Sequence, residues 1–262
     1  MHDDEFYALL DRLGFSREGY RKVRKGVKKR IRRHMLQIGC SNLVDYLERL
    51  QADPVLMDQL NQRMTVSISR FFRDRRLWTA LEKEIFPERT RMNPEEIRVW
   101  SAGCACGEEV YSIKIVWERL RRRQKNLPAF AVTATDSNPV FLQKAQAGVY
   151  TRSSLNEVDP EDLESFFKPV PGNRFEVLPV LKDGIVWDRK DHLLDPPETS
   201  FQLIFLRNNV LTYLEDSLKR KAFENVMEGL APCGILIIGS HEELPGVRAD
   251  LVPVEPFSYV FR

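Results

Sequence analysis

Nowhere in these 262 residues do 18 apolar residues follow one another, so no transmembrane helix and no membrane insertion are expected. The opening segment MHDDEFYALL is acidic and lacks the basic-then-apolar pattern of an export signal, which points to a cytoplasmic protein. Cysteine is scarce: of Cys40, Cys104, Cys106 and Cys233 only the middle two are close together. The 4 histidines show no ligand spacing, so neither a zinc site nor any other metal is expected, and the thiols read as reduced. The phosphate cradles GxGxxG and GxxxxGK[ST] are both missing, which argues against dinucleotides and ATP. There is no internal repeat, no low-complexity segment, no aromatic-rich basic surface and no NPPY-like motif, so a nucleic-acid partner is not expected.

What is present begins with charge. The net charge is only +2, yet REGYRKVRKGVKKRIRR, Arg17 to Arg33, carries ten Lys/Arg against one Glu. The rest of the chain is therefore acidic overall, and this block suits an anionic partner. Val23, Val27, Ile31 and Met35 recur every four residues through it, predicting one amphipathic helix with the cations on its flanks. Helices are also predicted over DEFYALLDRLG, stopped by Gly14, over SNLVDYLERL with Ser41 as N-cap, and over DPVLMDQLNQRM with Asp53 as cap and Pro54 in the first turn. TVSISRFFRDRRLWTALEKEIFP, 65–87, reads as a short extended piece and then a helix.

Beyond RMNPEE the pattern changes. IRVWSA, FAVTATD, FQLIFLRN and GILIIGS read as strands, separated by the helices EEVYSIKIVWERLRRR, NPVFLQKAQAG and DSLKRKAFENVMEGLAP, with PFSYVFR as a last strand. Such alternation predicts a mostly parallel sheet with helices on both faces. RFEVLPVLKDGIVWDRKDH breaks the alternation, and its Asp183-Gly184 predicts a hairpin, hence a small antiparallel insertion at about 171–192.

The chemistry gathers where the first of these strands meets its helix, in VWSAGCACGEEVYS. A strand, a glycine-bearing loop and a helix at the start of an alternating domain form a nucleotide or nucleoside site. Glu108 and Glu109, at the helix start, would repel pyrophosphate and attract an amino group or a sulfonium. They also complement the positive helix N-terminus, and for one of the two that is expected to be the whole role. Asp136 ends the second strand, where an acidic residue accepts hydrogen bonds from ribose hydroxyls. Together these features favour S-adenosylmethionine, a nucleoside with a positive end and no phosphate.

SAGCACGEEVYS, VSISRFFRD, ATDSN and LRNNVLTYL, with AGVY after the second helix and Gly234 to Glu242 as GxxxxGSHE, resemble the CheR-type chemotaxis-receptor methyltransferases over nearly the whole chain. The resemblance implies a Rossmann-like α/β methyltransferase domain with a small antiparallel β insertion, preceded by an all-helical N-terminal domain. It divides the chain into a basic helical unit at 1–64, a linker strand and helix contacting the cofactor at 65–88, and the methyltransferase domain at 89–262. The implied cofactor is S-adenosylmethionine, the product S-adenosylhomocysteine, and the acceptor a glutamate side chain of a receptor's acidic methylation helices, reached through Arg17–Arg33.

By the same resemblance Ser67, Ser69 and Arg73 approach the cofactor from the linker. Glu109, and secondarily Glu108, holds the methionine amino group, in the loop opened by Gly103. Asp136 binds the ribose, His192 and Leu193 lie beside the adenine, Arg207 and Asn208 close the pocket, and Tyr213 stands near the transferred methyl with Arg207. Three departures stand out. Val110 replaces the proline of GEEPYS. LRNNVLTYL has one residue more than the CRNVLIYF-like pattern, so Asn208 or Asn209 fills the family asparagine's place. The β insertion lacks the glycine-rich turn associated with a receptor pentapeptide, so tethering by that peptide is not expected. Arg73 and Asp74 also read as an ordinary ion pair, and Phe71 and Phe72 as core. A cofactor-binding module without turnover and a methyltransferase for nucleic acid or another acidic protein are the alternative readings.

Overall fold

The computed structural model describes residues 1–66, 69–93, 95–192 and 194–262. The chain opens with α1 (Asp3–Leu13), α2 (Arg17–Tyr20), α3 (Arg24–Gln37), α4 (Leu43–Ala52) and α5 (Pro54–Met64). Acidic residues occupy the first turn of α1, and Gly14 ends it at φ 72°, a left-handed position that favours glycine. Their shared core holds Phe6, Leu9, Tyr20, Val27, Ile31, Tyr46, Leu60 and Met64.

The basic block is two helices rather than one. The chain turns after Tyr20, and Val23 caps α3 from outside while Val27, Ile31 and Met35 are buried. Within α2, Gly19 presses against the Thr212 carbonyl, where a Cβ would lie only 2.0 Å from the oxygen. Asn42, not Ser41, caps α4, accepting the Asp45 N–H at 2.9 Å, whereas Asp53 and Pro54 start α5 as expected.

The linker carries no strand among its described residues. Phe71 and Phe72 are adjacent in sequence and both buried, which a half-exposed strand with alternating faces does not allow. The chain coils instead, with positive φ at Phe72 and Asp74. It then runs through α6 (Arg75–Ala80), a π-helical turn (Leu81–Ile85) and α7 (Phe86–Met92).

The remainder alternates: β1 (Glu96–Ala102), α8 (Glu108–Arg123), β2 (Ala129–Asp136), α9 (Pro139–Ala147), β3 (Val149–Thr151), a 3₁₀ turn (Arg152–Leu155), α10 (Pro160–Phe166), β4 (Phe167–Val170), β5 (Arg174–Val177), α11 (Pro179–Lys182), β6 (Ile185–Arg189), β7 (Phe201–Leu206), α12 (Val210–Tyr213), α13 (Asp216–Met227), β8 (Leu230–Ile238) and β9 (Val260–Phe261). The main sheet has the order β6-β2-β1-β7-β8-β9, parallel except for β9. Its central strands are apolar on both faces. Val99, Leu203, Phe205, Ile235 and Ile237 pack with α8 and the linker helices. Trp100, Ala102, Ile204, Leu206, Leu236 and Ile238 pack with Phe223 and Val226 of α13. Burial on both sides is why these strands read as continuous apolar runs.

The expected hairpin at Asp183-Gly184 does not form. Gly184 does turn the chain, at φ 69°, but α11 precedes it, and β6 continues as a parallel neighbour of β2, pairing Val132 with Ile185. The small antiparallel sheet is built upstream, from 149–177 rather than 171–192, in the order β3-β5-β4 with its tight turn at 171–173.

Candidate functional site

Strand order reverses between β1 and β7: the chain leaves β1 toward β2 and β6 on one side, while β7, β8 and β9 lie on the other. A ligand crevice is expected beyond the carboxyl ends at such a point. A cavity of about 670 Å³ lies there, within the usual size of small-molecule sites. Its walls come from the loop after β1, the ends of β2 and β6, the turn after β7, and Tyr20, Met57, Asn61, Gln62 and Met64 of the N-terminal helices.

Gly103 opens the loop at φ 84°, and a Cβ there would meet the Asn209 amide nitrogen at 2.0 Å. Only glycine lets the Asn209 side chain lie across the loop, where it donates to the Ala102 carbonyl and accepts the Val210 N–H at 2.6 Å. Asp136 is buried and holds the loop from beneath: Oδ2 accepts the Ala105 N–H at 2.9 Å and Oδ1 the Asn138 N–H at 2.8 Å. Burial pushes its carboxyl pKa up, and these two backbone donors pull it back. An ionised carboxylate has about four acceptor sites, so each oxygen can take one more donor. That suits a pair of vicinal hydroxyls.

The two glutamates separate. Glu109 lines the cavity; its Oε1 accepts from the Ser101 hydroxyl at 2.8 Å and its Oε2 pairs with Arg207 at 2.9 Å. Glu108 is buried with Oε2 unpartnered, its pKa raised by burial and lowered in part by a hydrogen bond from Ser69. Arg207 is itself buried and bridges Glu109 to Asp74, with Nε left without a protein acceptor. Asp74 is thus paired with Arg207, 133 residues away in sequence. The Arg73 carbonyl accepts from Trp78 Nε1 at 2.7 Å, and Arg73 lines the cavity with Ser69. Cys104 is buried and its thiol pKa is pushed well up, chiefly by burial, which suits a small apolar lining residue and not a nucleophile.

His192 lies at the cavity wall, buried, both ring nitrogens without partners among the described residues, its ring set edgewise to Trp100 at 5.7 Å between centroids. Burial lowers its pKa to about 4, so the imidazole is neutral near neutral pH and offers one donor and one acceptor. Asn208, at φ 56°, and Asn209 both line the cavity. Tyr213 does too, half-buried, its ring 5.0 Å from that of Tyr20. Its carbonyl accepts the Ser16 N–H at 2.8 Å, and burial raises its phenol pKa, keeping the proton on oxygen. Ser67 and Leu193 lie outside the described residues.

The structure therefore brings Ser69, Arg73, Gly103, Glu109, Asp136, His192, Arg207, Asn208 and Tyr213 to one cavity. Sequence reasoning missed Asp74, Asn138 and the α5 wall. Asn138 Nδ2 reaches the Gln62 carbonyl at 3.4 Å across that wall. Its position just after Asp136 was a signal for loop binding, whereas the α5 residues carry none. The lining suits S-adenosylmethionine: two carboxylates with spare acceptor sites, an unpartnered neutral imidazole, and a glycine cradle.

Comparison with known proteins bears on the same residues. The family model described as "CheR methyltransferase, SAM binding domain" matches residues 67–258. The "Chemotaxis protein methyltransferase" of Listeria monocytogenes serovar 1/2a is 33% identical over 200 residues, covering 76% of this chain and 74% of its own length. "Chemotaxis protein methyltransferase Cher2" of Pseudomonas putida is 30% identical over 230 residues, covering 84% and 82%. Among solved structures, the N-methyltransferase NodS of Bradyrhizobium japonicum WM9, in complex with S-adenosyl-L-homocysteine, is 16% identical with a TM-score of 0.35 over 63% of this chain and 60% of that one. The protein is a Rossmann-like methyltransferase that uses S-adenosylmethionine. It belongs to the CheR methyltransferase family. No described helix is long and apolar enough to cross a membrane.

Proposed function

We propose that the chain transfers a methyl group to glutamate side chains on the acidic methylation helices of a chemoreceptor, forming methyl esters, in the cytoplasm. The helical residues 1–64 serve as the docking unit, 65–88 as a cofactor-contacting linker and 89–262 as the methyltransferase domain. The observation that carries this reading is the shared wall of the cavity. Helix α5 lines it, and α3 is fastened to the end of α5 by Arg30, which donates to the Arg63 and Thr65 carbonyls at 2.7 and 3.0 Å.

The outer face of α3 exposes Lys25, Lys29, Arg32 and Arg33, at i, i+4, i+7 and i+8, opposite buried Val27 and Ile31. Arg24 and Lys28 are turned toward Asp3 instead. A helix with carboxylates at matching spacing is the electrostatic complement of that stripe.

In the cavity Asp136 would hold the ribose, Glu109 the amino group, and Ser67, Ser69 and Arg73 the linker side. His192 and Leu193 would face the adenine, with Arg207 and Asn208 closing the pocket. The cofactor, when bound, supplies an electrophilic methyl on a sulfonium. The acceptor glutamate has an ordinary pKa near 4.3 and is ionised at neutral pH, so the chain needs no general base. Arg207, already committed to Glu109 and Asp74, is held back from pairing with the incoming carboxylate and blunting it. Tyr213 keeps its proton and orients that carboxylate by donating to it. Alignment of this kind contributes up to about 7–11 kcal/mol.

The test is transfer of labelled methyl to a purified receptor cytoplasmic fragment, scored as base-labile label. Transfer should fall roughly tenfold from low salt to about 0.5 M, because added salt shortens the Debye length and screens exposed charge contacts. Salt-independent transfer by wild type and by a Lys25→Glu/Lys29→Glu variant alike would rule out docking through α3. Absence of ester on any glutamate would rule out the acceptor.

A further inference from the structure

We propose that Glu242 is the positioning residue of the cofactor pocket: its one carboxylate fixes the turn that carries Arg207, Asn208 and Asn209 and so sets how tightly the cofactor is held. The inference rests on the reading of the cavity as the cofactor site, and extends it to a residue that does not line that cavity.

Glu242 lies beyond the end of β8, in a tight turn closed by its own N–H to the Gly239 carbonyl at 2.9 Å. Its Oε2 accepts two backbone N–H groups, from Gly239 at 2.7 Å and from Asn208 at 2.8 Å. Its Oε1 accepts from the Thr212 hydroxyl. One side chain thus ties together three places: the end of β8, the turn after β7, and α12. The packing there is close enough to demand glycine. A Cβ on Gly239 would stand 2.6 Å from Glu242 Oε2 and 3.0 Å from Asn208 Oδ1.

The tie matters because Asn208 is at φ 56°, in the left-handed region that Asn tolerates better than most side chains but that remains a minority conformation for it. The Glu242 carboxylate, accepting the Asn208 N–H, selects that conformation over the extended one. Directly before Asn208 the Arg207 side chain reaches Glu109 and Asp74, and directly after it the Asn209 side chain lies across Gly103. Releasing Asn208 into an extended conformation would swing both neighbours away from the loop. Thr212 adds a second hold, one residue before Tyr213.

The test is calorimetric titration of S-adenosylhomocysteine, which needs no acceptor. Glu242→Leu removes all three acceptor contacts and should weaken binding at least tenfold. Glu242→Gln should restore binding to within about threefold of wild type, because the amide oxygen can accept both backbone N–H groups and the amide nitrogen can donate to the Thr212 hydroxyl. Exposed Glu243→Gln, next door, should bind as wild type does.

Thr212→Val should weaken binding less than Glu242→Leu, and Thr212→Ser should recover it. This pair decides the matter should Glu242→Leu not fold. Loss of affinity in Glu242→Gln equal to that in Glu242→Leu would assign the effect to charge and overturn the positioning role. Wild-type affinity in Glu242→Leu, or in Thr212→Val, would overturn it outright. A wild-type protein that binds no S-adenosylhomocysteine would remove the cofactor reading itself, and this inference with it.

Discussion

His192 makes the stability of the fold depend on pH in a window that can be worked out. In the folded chain its ring is buried, lacks any partner for either nitrogen, and has its pKa lowered by burial from 6.5 to about 4. In the unfolded chain it returns to the ordinary value. The unfolded state therefore binds more protons between about pH 6.5 and about pH 4, and stability falls as pH falls through that window and is flat above it. Between about pH 7 and about pH 5 the loss from this one group is about 2 kcal/mol, rising to about 3 kcal/mol at about pH 4.

Urea unfolding of wild type and His192→Gln, at the two upper pH values, isolates the contribution. Buried Glu108 and Asp136, whose pKa values are raised, and His34, whose pKa is lowered, titrate in both proteins and cancel in the difference. Wild type should lose about 2 kcal/mol more than the variant on acidification. Parallel pH profiles would mean that the folded His192 takes up its proton normally, and the buried, unpartnered imidazole described above would be refuted.

Asp136→Ala deletes the acceptor shared by the Ala105 and Asn138 N–H groups as well as the expected ribose contact, so S-adenosylhomocysteine affinity should fall roughly hundredfold in calorimetry. Unchanged affinity would remove the ribose assignment. Tyr213→Phe keeps the ring against Tyr20 and loses only the hydroxyl, so cofactor affinity should hold while kcat on a receptor fragment falls about tenfold or more. Equal kcat would show Tyr213 to be a packing residue alone.

Much of the α/β core was legible because its signals are local. FAVTATD and FQLIFLRN are runs of strand length, and Gly148 stops α9 in the left-handed conformation its sequence predicts. The site was legible where one short segment contains both the loop and its charge, as in GCACGEE. What failed depended on distant partners. Asp183-Gly184 is a genuine turn, but nothing local says that β6 returns beside β2 instead of folding back on β5. Arg24 to Gln37 has the right period for one helix continuing from Arg17, but the chain turns at Arg21–Val23, and the short helix before it is seated on Thr212, far along the chain, through Gly19. The bridge from Asp74 through Arg207 to Glu109 joins three separated segments, and no spacing rule connects them.

The contact between the first helices and the turn after β7 has a consequence for the order in which the protein is made. Phe15 pairs with Leu214 as an isolated bridge, the Glu215 N–H donates to the Gly14 carbonyl, and Tyr20 meets Tyr213. On the ribosome the segment Gly14–Tyr20 emerges well before its partners at Tyr213–Glu215. Until they arrive, the rings of Phe15 and Tyr20 face water on the side that Tyr213 will cover. Closing so long a loop is an entropic cost met only once most native contacts already exist. A nascent chain can thus have its first helices, its charges and the glycine loop in place before the cavity wall at Val210, Tyr213 and Leu214 exists.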